Sequence, residues 1–182
     1  MQPSPYFKDQ FRYFFKRFYS EEKLFKWFAS QTGEDTGSID FPDCLKDHPK
    51  TLVFLPRDMK HASTFLKSIP QSFFENVLLF SHESLHSLVS ARRAKSIYYS
   101  DTECRYGEVV FETLLQKILD FAPQVVIYLG ESFLPRLYLA KMSGAPCRIG
   151  FCSESNYPFL NMSLRPNTSS ETDMISNCYG LK

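Results

Sequence analysis

From Thr51 onward, short apolar runs alternate with amphipathic stretches. The runs are Leu52–Leu55, Val77–Phe80, Ser96–Tyr99, Val125–Leu129 and Arg148–Phe151, each bounded by polar residues or by Pro and Gly. Residues 125–129 show no polar–apolar alternation, the pattern of a strand covered on both faces. Between the runs, the periodicity predicts helices over Lys60–Ser68, Glu83–Ala91, Gly107–Phe121 and Ser132–Met142. In the third, Val109, Leu114, Leu115, Ile118 and Leu119 mark the buried side. Pro135 falls in the first turn of the fourth, where its missing N–H costs little. Strands alternating with helices predict an α/β fold: a Rossmann-like parallel sheet of about five strands, flanked by helices and joined by right-handed crossovers. Ligands of such sheets sit at the carboxyl ends of the strands. The segments facing a ligand are then Pro56–His61, Ser81–Ser84, Ser100–Arg105, Gly130–Phe133 and Cys152–Tyr157.

The pattern ahead of Thr51 is different. Phe7, Phe11, Phe14 or Phe15, and Phe18 recur at helical spacing, and Ser20-Glu21-Glu22 reads as the N-cap of a second helix whose apolar face continues through Leu24, Phe25 and Phe28. Lys8, Arg12, Lys16, Arg17, Lys23 and Lys26 oppose Asp9, Glu21 and Glu22, leaving the segment at a net +3. Such an aromatic and basic stripe has two readings. It packs on the domain or a partner, or it lies on an anionic membrane surface through residues 5–28. Residues 32–50, with Gly33, Gly37, Pro42 and Pro49, read as a polar linker. The expected organisation is a helical extension over 1–31, a linker over 32–50 and a Rossmann-like domain over 51–182.

A length of 182 residues suits one such domain. The net charge of +1 excludes a global electrostatic grip on nucleic acid, so an anionic partner would have to meet a local basic patch. The five cysteines are odd in number and form no CxxC pair. Their reading is free thiols in a reducing cytosol. The sequons at Asn161 and Asn167 are then coincidental. No stretch approaches the roughly 20 apolar residues of a membrane span, and the N-terminal segment carries charges throughout, unlike a signal peptide. The expected location is cytoplasmic, with peripheral attachment to the inner face of a membrane as the further option.

Two stretches add a resemblance. They are Ala122-Pro-Gln-Val-Val-Ile-Tyr-Leu-Gly130 and Ala140-Lys-Met-Ser-Gly-Ala-Pro-Cys-Arg-Ile-Gly-Phe151. Together they resemble the fourth strand, the following helix and the Ser-Gly-Ala-x-x-Arg-Ile-Gly-Phe strand of the heptosyltransferase-like (family 9) glycosyltransferases. The likeness spans roughly Thr51 to Lys182. It implies one half of a GT-B architecture, in which an N-terminal domain binds a glycan or glycolipid acceptor of lipopolysaccharide type. A second, C-terminal domain, missing from this chain, would bind the nucleotide-sugar donor. No cofactor is therefore expected within this chain, and no metal. In the family, a Gly-Asp pair after the first strand supplies the general base. Here the turn reads Leu55-Pro-Arg-Asp-Met-Lys-His-Ala62, with Lys60-His61 in the register of Gly-Asp and Asp58 close by. After the fourth strand only Gly130 agrees with the family. The basic residue and Ser usual there have Phe133 and Leu134 near their positions.

The candidate base is Asp58 or His61. The imidazole has the better intrinsic pKa near neutrality, and the other readings are a helix-capping Asp58 and an exposed His61. Arg57 and Lys60 are candidates for holding anionic groups of the acceptor, and Gly130 and Glu131 line the same edge. His82-Glu83-Ser-Leu-His86 matches HExxH, the two-histidine zinc motif. Its plainer reading is a pair of surface histidines after a core strand. Arg92, Arg93 and Lys95 form a small basic cluster of a solvated loop. There is neither GxGxxG nor a Walker A loop, so nucleotide binding within this chain is not expected. A non-catalytic Rossmann-like binding module stands beside the transferase as the alternative.

Overall fold

In the computed structural model of the chain, residues 21–33, 35, 39–101, 110–151, 156–165 and 170–180 are described. The Phe7–Phe18 stripe, the start of the helix expected at Gly107, Cys104, Cys152 and Asn167 lie outside them. The elements are α1 (Glu21–Gln31), β1 (Thr51–Phe54), α2 (Met59–Ser68), β2 (Val77–His82), α3 (His86–Ser90), β3 (Lys95–Tyr99), α4 (Val110–Phe121), β4 (Val125–Tyr128), α5 (Leu134–Met142), β5 (Cys147–Phe151), β6 (Met162–Leu164) and α6 (Glu171–Cys178). All strand pairs are parallel, in the order β3-β2-β1-β4-β5-β6. The fold is α/β and Rossmann-like, with six strands where the sequence predicts about five.

Every residue of β1, β2 and β4 is buried, which is why their runs read as continuous apolar stretches. The side chains pack in two layers. On one face Val53, Leu55, Leu79 and Ile127 meet Ala62, Phe65 and Leu66 of α2, Val89 of α3 and Ile175 of α6. On the other, Leu52, Phe54, Phe80 and Tyr128 meet Leu114 and Ile118 of α4 and Leu137 and Ala140 of α5. Phe25 and Phe28 of α1 pack on this second layer, against Phe159 (5.0 Å between ring centroids) and Tyr138 (4.8 Å). These two rings of the N-terminal stripe thus cover the domain.

The sixth strand escapes the sequence pattern because Met162-Ser163-Leu164 is three residues long and half exposed. It is placed by Asn161, whose N–H donates to Arg148 O (3.1 Å) and whose Oδ1 accepts from Arg148 N (2.8 Å). The helix expected over Glu83–Ala91 divides into a 3-10 turn (Glu83–Leu85) and α3. Residues 39–50 do not trail in solvent. Leu45 is buried in the core, with Ile39, Phe41 and Cys44 packed beside it. Asp35 bridges Lys141 (2.8 Å) and the buried Arg148 (2.6 Å). Burial raises the Asp35 pKa, but hydrogen bonds from Lys141 and Arg148 and their charges outweigh it, leaving the carboxyl below its ordinary value.

Candidate functional site at the carboxyl edge of the sheet

With the strand order 3-2-1-4-5-6, the chain reverses direction of travel between β1 and β4, and the crevice of a doubly wound sheet opens at that point. Two turns border it, Leu55–Asp58 leading into α2 and Leu129–Phe133 leading into α5. They touch. Gly130 has φ +92°, and a Cβ placed there would lie 2.8 Å from Pro56 Cβ and 3.0 Å from Pro56 Cα. Only glycine fits both the backbone angle and the approach, so Gly130 seals one turn against the other.

At the first turn, Asp58 is the N-cap of α2, and its Oδ1 accepts from His61 N at 2.7 Å. This satisfies one of the otherwise unpaired N–H groups of the first helical turn. Lys60 and Glu131 are exposed. The imidazole of His61 turns toward α6. Its Nε2 lies 3.1 Å from Glu171 Oε2, an ion pair when the ring is protonated. That carboxylate oxygen is shut off from solvent and has no aligned hydrogen bond. The candidate base thus has a carboxylate beside it, contributed from 110 residues away in the chain.

Arg57 turns the other way, along the ends of β2 and β3. Its Nη2 pairs with Asp101 Oδ1 (2.6 Å) and lies 3.4 Å from His82 Nε2. His82 Nε2 is 3.5 Å from the same carboxylate oxygen. The other ring nitrogen, Nδ1, meets Ser84 Oγ at 2.8 Å and accepts from Ser84 N at 3.2 Å. A ring that accepts from Ser84 N at Nδ1 carries its proton on Nε2 toward Asp101, and a ring that accepts from Arg57 at Nε2 carries it on Nδ1 toward Ser84 Oγ. Arg57 and Asp101 both stand about half exposed. The cluster therefore offers donors and acceptors to solvent side by side, with little net charge.

The HExxH match does not form on one helix. His82 ends β2, Glu83–Leu85 is a 3-10 turn, and His86 opens α3. The imidazoles diverge, His82 to Ser84 and Arg57, His86 to the Tyr98 ring at 4.6 Å. The motif's two-ligand helix face is not built, because the His82 side chain is used to start the tight turn. Among the described residues, no group of three or more His, Cys, Asp or Glu could hold a metal. In the basic loop, Arg92 lies over the Phe74 ring and Arg93 has a positive φ.

Arg136 is not among the residues that the sequence pattern singles out. This residue of the first turn of α5 is 2% exposed. Its Nη2 donates to Leu55 O at 2.6 Å, and its guanidinium carbon lies 5.1 Å from the Tyr128 ring centroid, 5.7 Å from Phe54 and 5.9 Å from Tyr99. Nε is buried without an acceptor. A buried charge without a counter-ion costs several kcal/mol, which a cation–π cage only partly offsets. One signal could have found it: a lone cation in the first turn of an otherwise apolar helix opposes the helix dipole.

At the opposite edge of the sheet, Cys44 Sγ and Cys147 Sγ lie 3.3 Å apart as free thiols. Burial, followed by the hydrogen bond from Cys44, pushes the Cys147 thiol up to about 12.

Comparison with known proteins returns no match: no family model, no curated protein and no solved structure is significantly similar to the chain.

Proposed function

We propose that this domain binds a glycan acceptor, of lipopolysaccharide type or related, as the acceptor-side half of a GT-B glycosyltransferase. The observation that carries the reading is His61 beside Glu171 at the start of the first helix after the first strand. This is where a base is needed to take the proton from an acceptor hydroxyl. The hydroxyl oxygen would attack the anomeric carbon of a nucleotide-activated sugar, the glycosyl–phosphate bond would break, and the nucleotide would leave with that bond's electrons. His61 would accept the hydroxyl proton, and Glu171 would hold the resulting imidazolium. Arg57, His82 and Asp101, an alternation of donors and acceptors with little net charge, suit sugar hydroxyls better than a phosphate. Lys60 and Glu131 border the same edge. The donor would be bound by a second domain.

Among the described residues no helix is long and apolar enough to cross a membrane, so a lipid-linked acceptor would be met at the surface. The test is glycan binding by saturation-transfer NMR with a panel of core oligosaccharides, followed by transfer assays with nucleotide sugars. Arg57→Ala should weaken acceptor binding about tenfold, the loss of one charge-assisted hydrogen-bonded contact. His61→Ala should retain binding and lose transfer. Binding to no glycan in the panel would sink the reading.

A second reading, a non-catalytic binding module, is favoured by one geometric fact. Asp58 is committed to capping α2 and Gly130 to packing on Pro56, so neither is spare for chemistry. In that case glycan or another ligand binds, and His61→Ala changes nothing.

A further inference from the structure

A guanidinium stays charged at any pH a folded protein meets, and it carries five N–H donors. Arg136 gives one of them to Leu55 O and holds no carboxylate within ion-pair distance among the described residues. The start of α5 presents few spare donors, because Pro135 has no N–H and Arg136 N donates to Phe133 O at 3.0 Å. Its N-cap, Phe133, makes no side-chain cap. At α2 the corresponding position is filled by the Asp58 carboxylate. The field at the β1–β4 crevice is therefore doubly positive on the α5 side, from a helix N-terminus without a cap and from a buried arginine with donors unused.

The aromatic rings fix the guanidinium in place. Tyr128 also holds the turn, its OH donating to Glu131 O at 3.1 Å and accepting from Phe133 N at 3.3 Å. The cation is thus preorganised by the ends of β1, β3 and β4 rather than left to wander, and a rigid fork is what recognition of a planar or tetrahedral oxyanion needs.

We infer that Arg136 and the N-terminus of α5 form a binding site for an oxyanion group of a small ligand, a phosphate or a carboxylate, at the crevice between β1 and β4. Its residues differ from Arg57 and Lys60, the anion contacts expected from the sequence. It does not depend on sugar transfer: the site is the same in a transferase half and in a binding module.

The experiment is an NMR titration of the arginine Nε–Hε signals at constant ionic strength, with inorganic phosphate in one arm and acetate in the other, and chloride as the reference. The Arg136 signal, assigned by its loss in Arg136→Met, should shift saturably in at least one arm. The arm with the tighter response names the ligand chemistry. In Arg136→Met, anion binding measured by calorimetry should fall about tenfold or more, while the circular dichroism spectrum stays that of the parent. Should Arg136→Met fail to fold, Arg136→Lys retains the charge but loses the fork, and weaker binding in that variant would serve the same purpose. An Arg136 signal that ignores both anions, or binding that survives unchanged in the Met variant, would overturn the inference. Neither outcome would touch the glycan reading, which rests on His61 beside Glu171, with Arg57, His82 and Asp101.

Discussion

Two arginines lie buried among the described residues, Arg136 in α5 and Arg148 in the strand β5 that follows it, and they live in opposite circumstances. Arg148 of β5 is 3% exposed, and each of its side-chain nitrogens has an acceptor: Nε gives to Phe159 O (2.8 Å), Nη1 to Ala145 O (2.7 Å) and Nη2 to Asp35 Oδ2 (2.6 Å). Arg136 is 2% exposed and has one acceptor and three aromatic rings. A buried charge that is fully satisfied is architecture. One that is left short is either strain or a waiting partner. Arg148 ties together the 32–50 segment, the α5–β5 turn and the loop before β6. Arg136 ties one carbonyl, Leu55 O, and its Nε is left without an acceptor.

Substitutions at the two sites should part company. Arg148→Met leaves Asp35 Oδ2 and two carbonyls without their donor, with Lys141 still on Oδ1, and should cost about 3 kcal/mol in urea unfolding. Arg136→Met removes a charge that has no counter-ion among the described residues, and should be close to neutral or stabilising in the same assay. Equal losses at both would erase the distinction. Next in size, Gly130→Ala forces an L-residue to φ +92° against Pro56 and should cost roughly 1–3 kcal/mol. Because the strain falls on the turn into α5, it should also weaken anion binding at Arg136 and leave the Arg148 network intact by NMR.

Asp58→Ala should cost about 1 kcal/mol through loss of the α2 cap. It would also give α2 the uncapped start that α5 has, so any gain in phosphate affinity there would test whether the missing cap or the arginine matters more. The smallest effect is acid sensitivity at Asp35. Its folded pKa lies below the ordinary aspartate value, so the stabilisation is whole above that value and is lost as pH falls through the lower folded-state pKa. Comparing urea midpoints at about pH 5 and about pH 3, the parent should lose more stability than Asp35→Asn, which cannot titrate.

The layered fold was legible because burial on both faces writes itself into the sequence as apolar runs, clearest in β1, β2 and β4, while the edge-side β3 and the Arg148-bearing β5 are marked by shorter runs. Met162–Leu164 has no run to read. Its place comes from the main-chain and side-chain bonds of Asn161 to Arg148. Residues 39–50 look polar, yet four apolar side chains, Ile39, Phe41, Cys44 and Leu45, are enough to dock them. The candidate site was half legible. Arg57, Asp58 and His61 follow from topology alone, since the turn after the first strand must face the crevice. Their partners do not, because Asp101 and Glu171 are brought in by packing across long stretches of chain. HExxH read as helical spacing fails for a local reason: the first histidine still belongs to the strand.

The contacts of α6 have a consequence for biosynthesis. Tyr179 OH meets Thr51 Oγ1 at 2.9 Å, its ring packs on Phe73 at 5.0 Å, and Ile175 sits in the same core layer as Val53 and Leu55. The first strand and the last described helix therefore complete each other. On the ribosome, where a chain emerges from its N-terminus, the layer over β1 stays open until residues 171–179 have cleared the exit tunnel. This core layer is then completed only once its last described helix is available, and until that point the nascent domain leaves the apolar face of α2 and β1 without its cover.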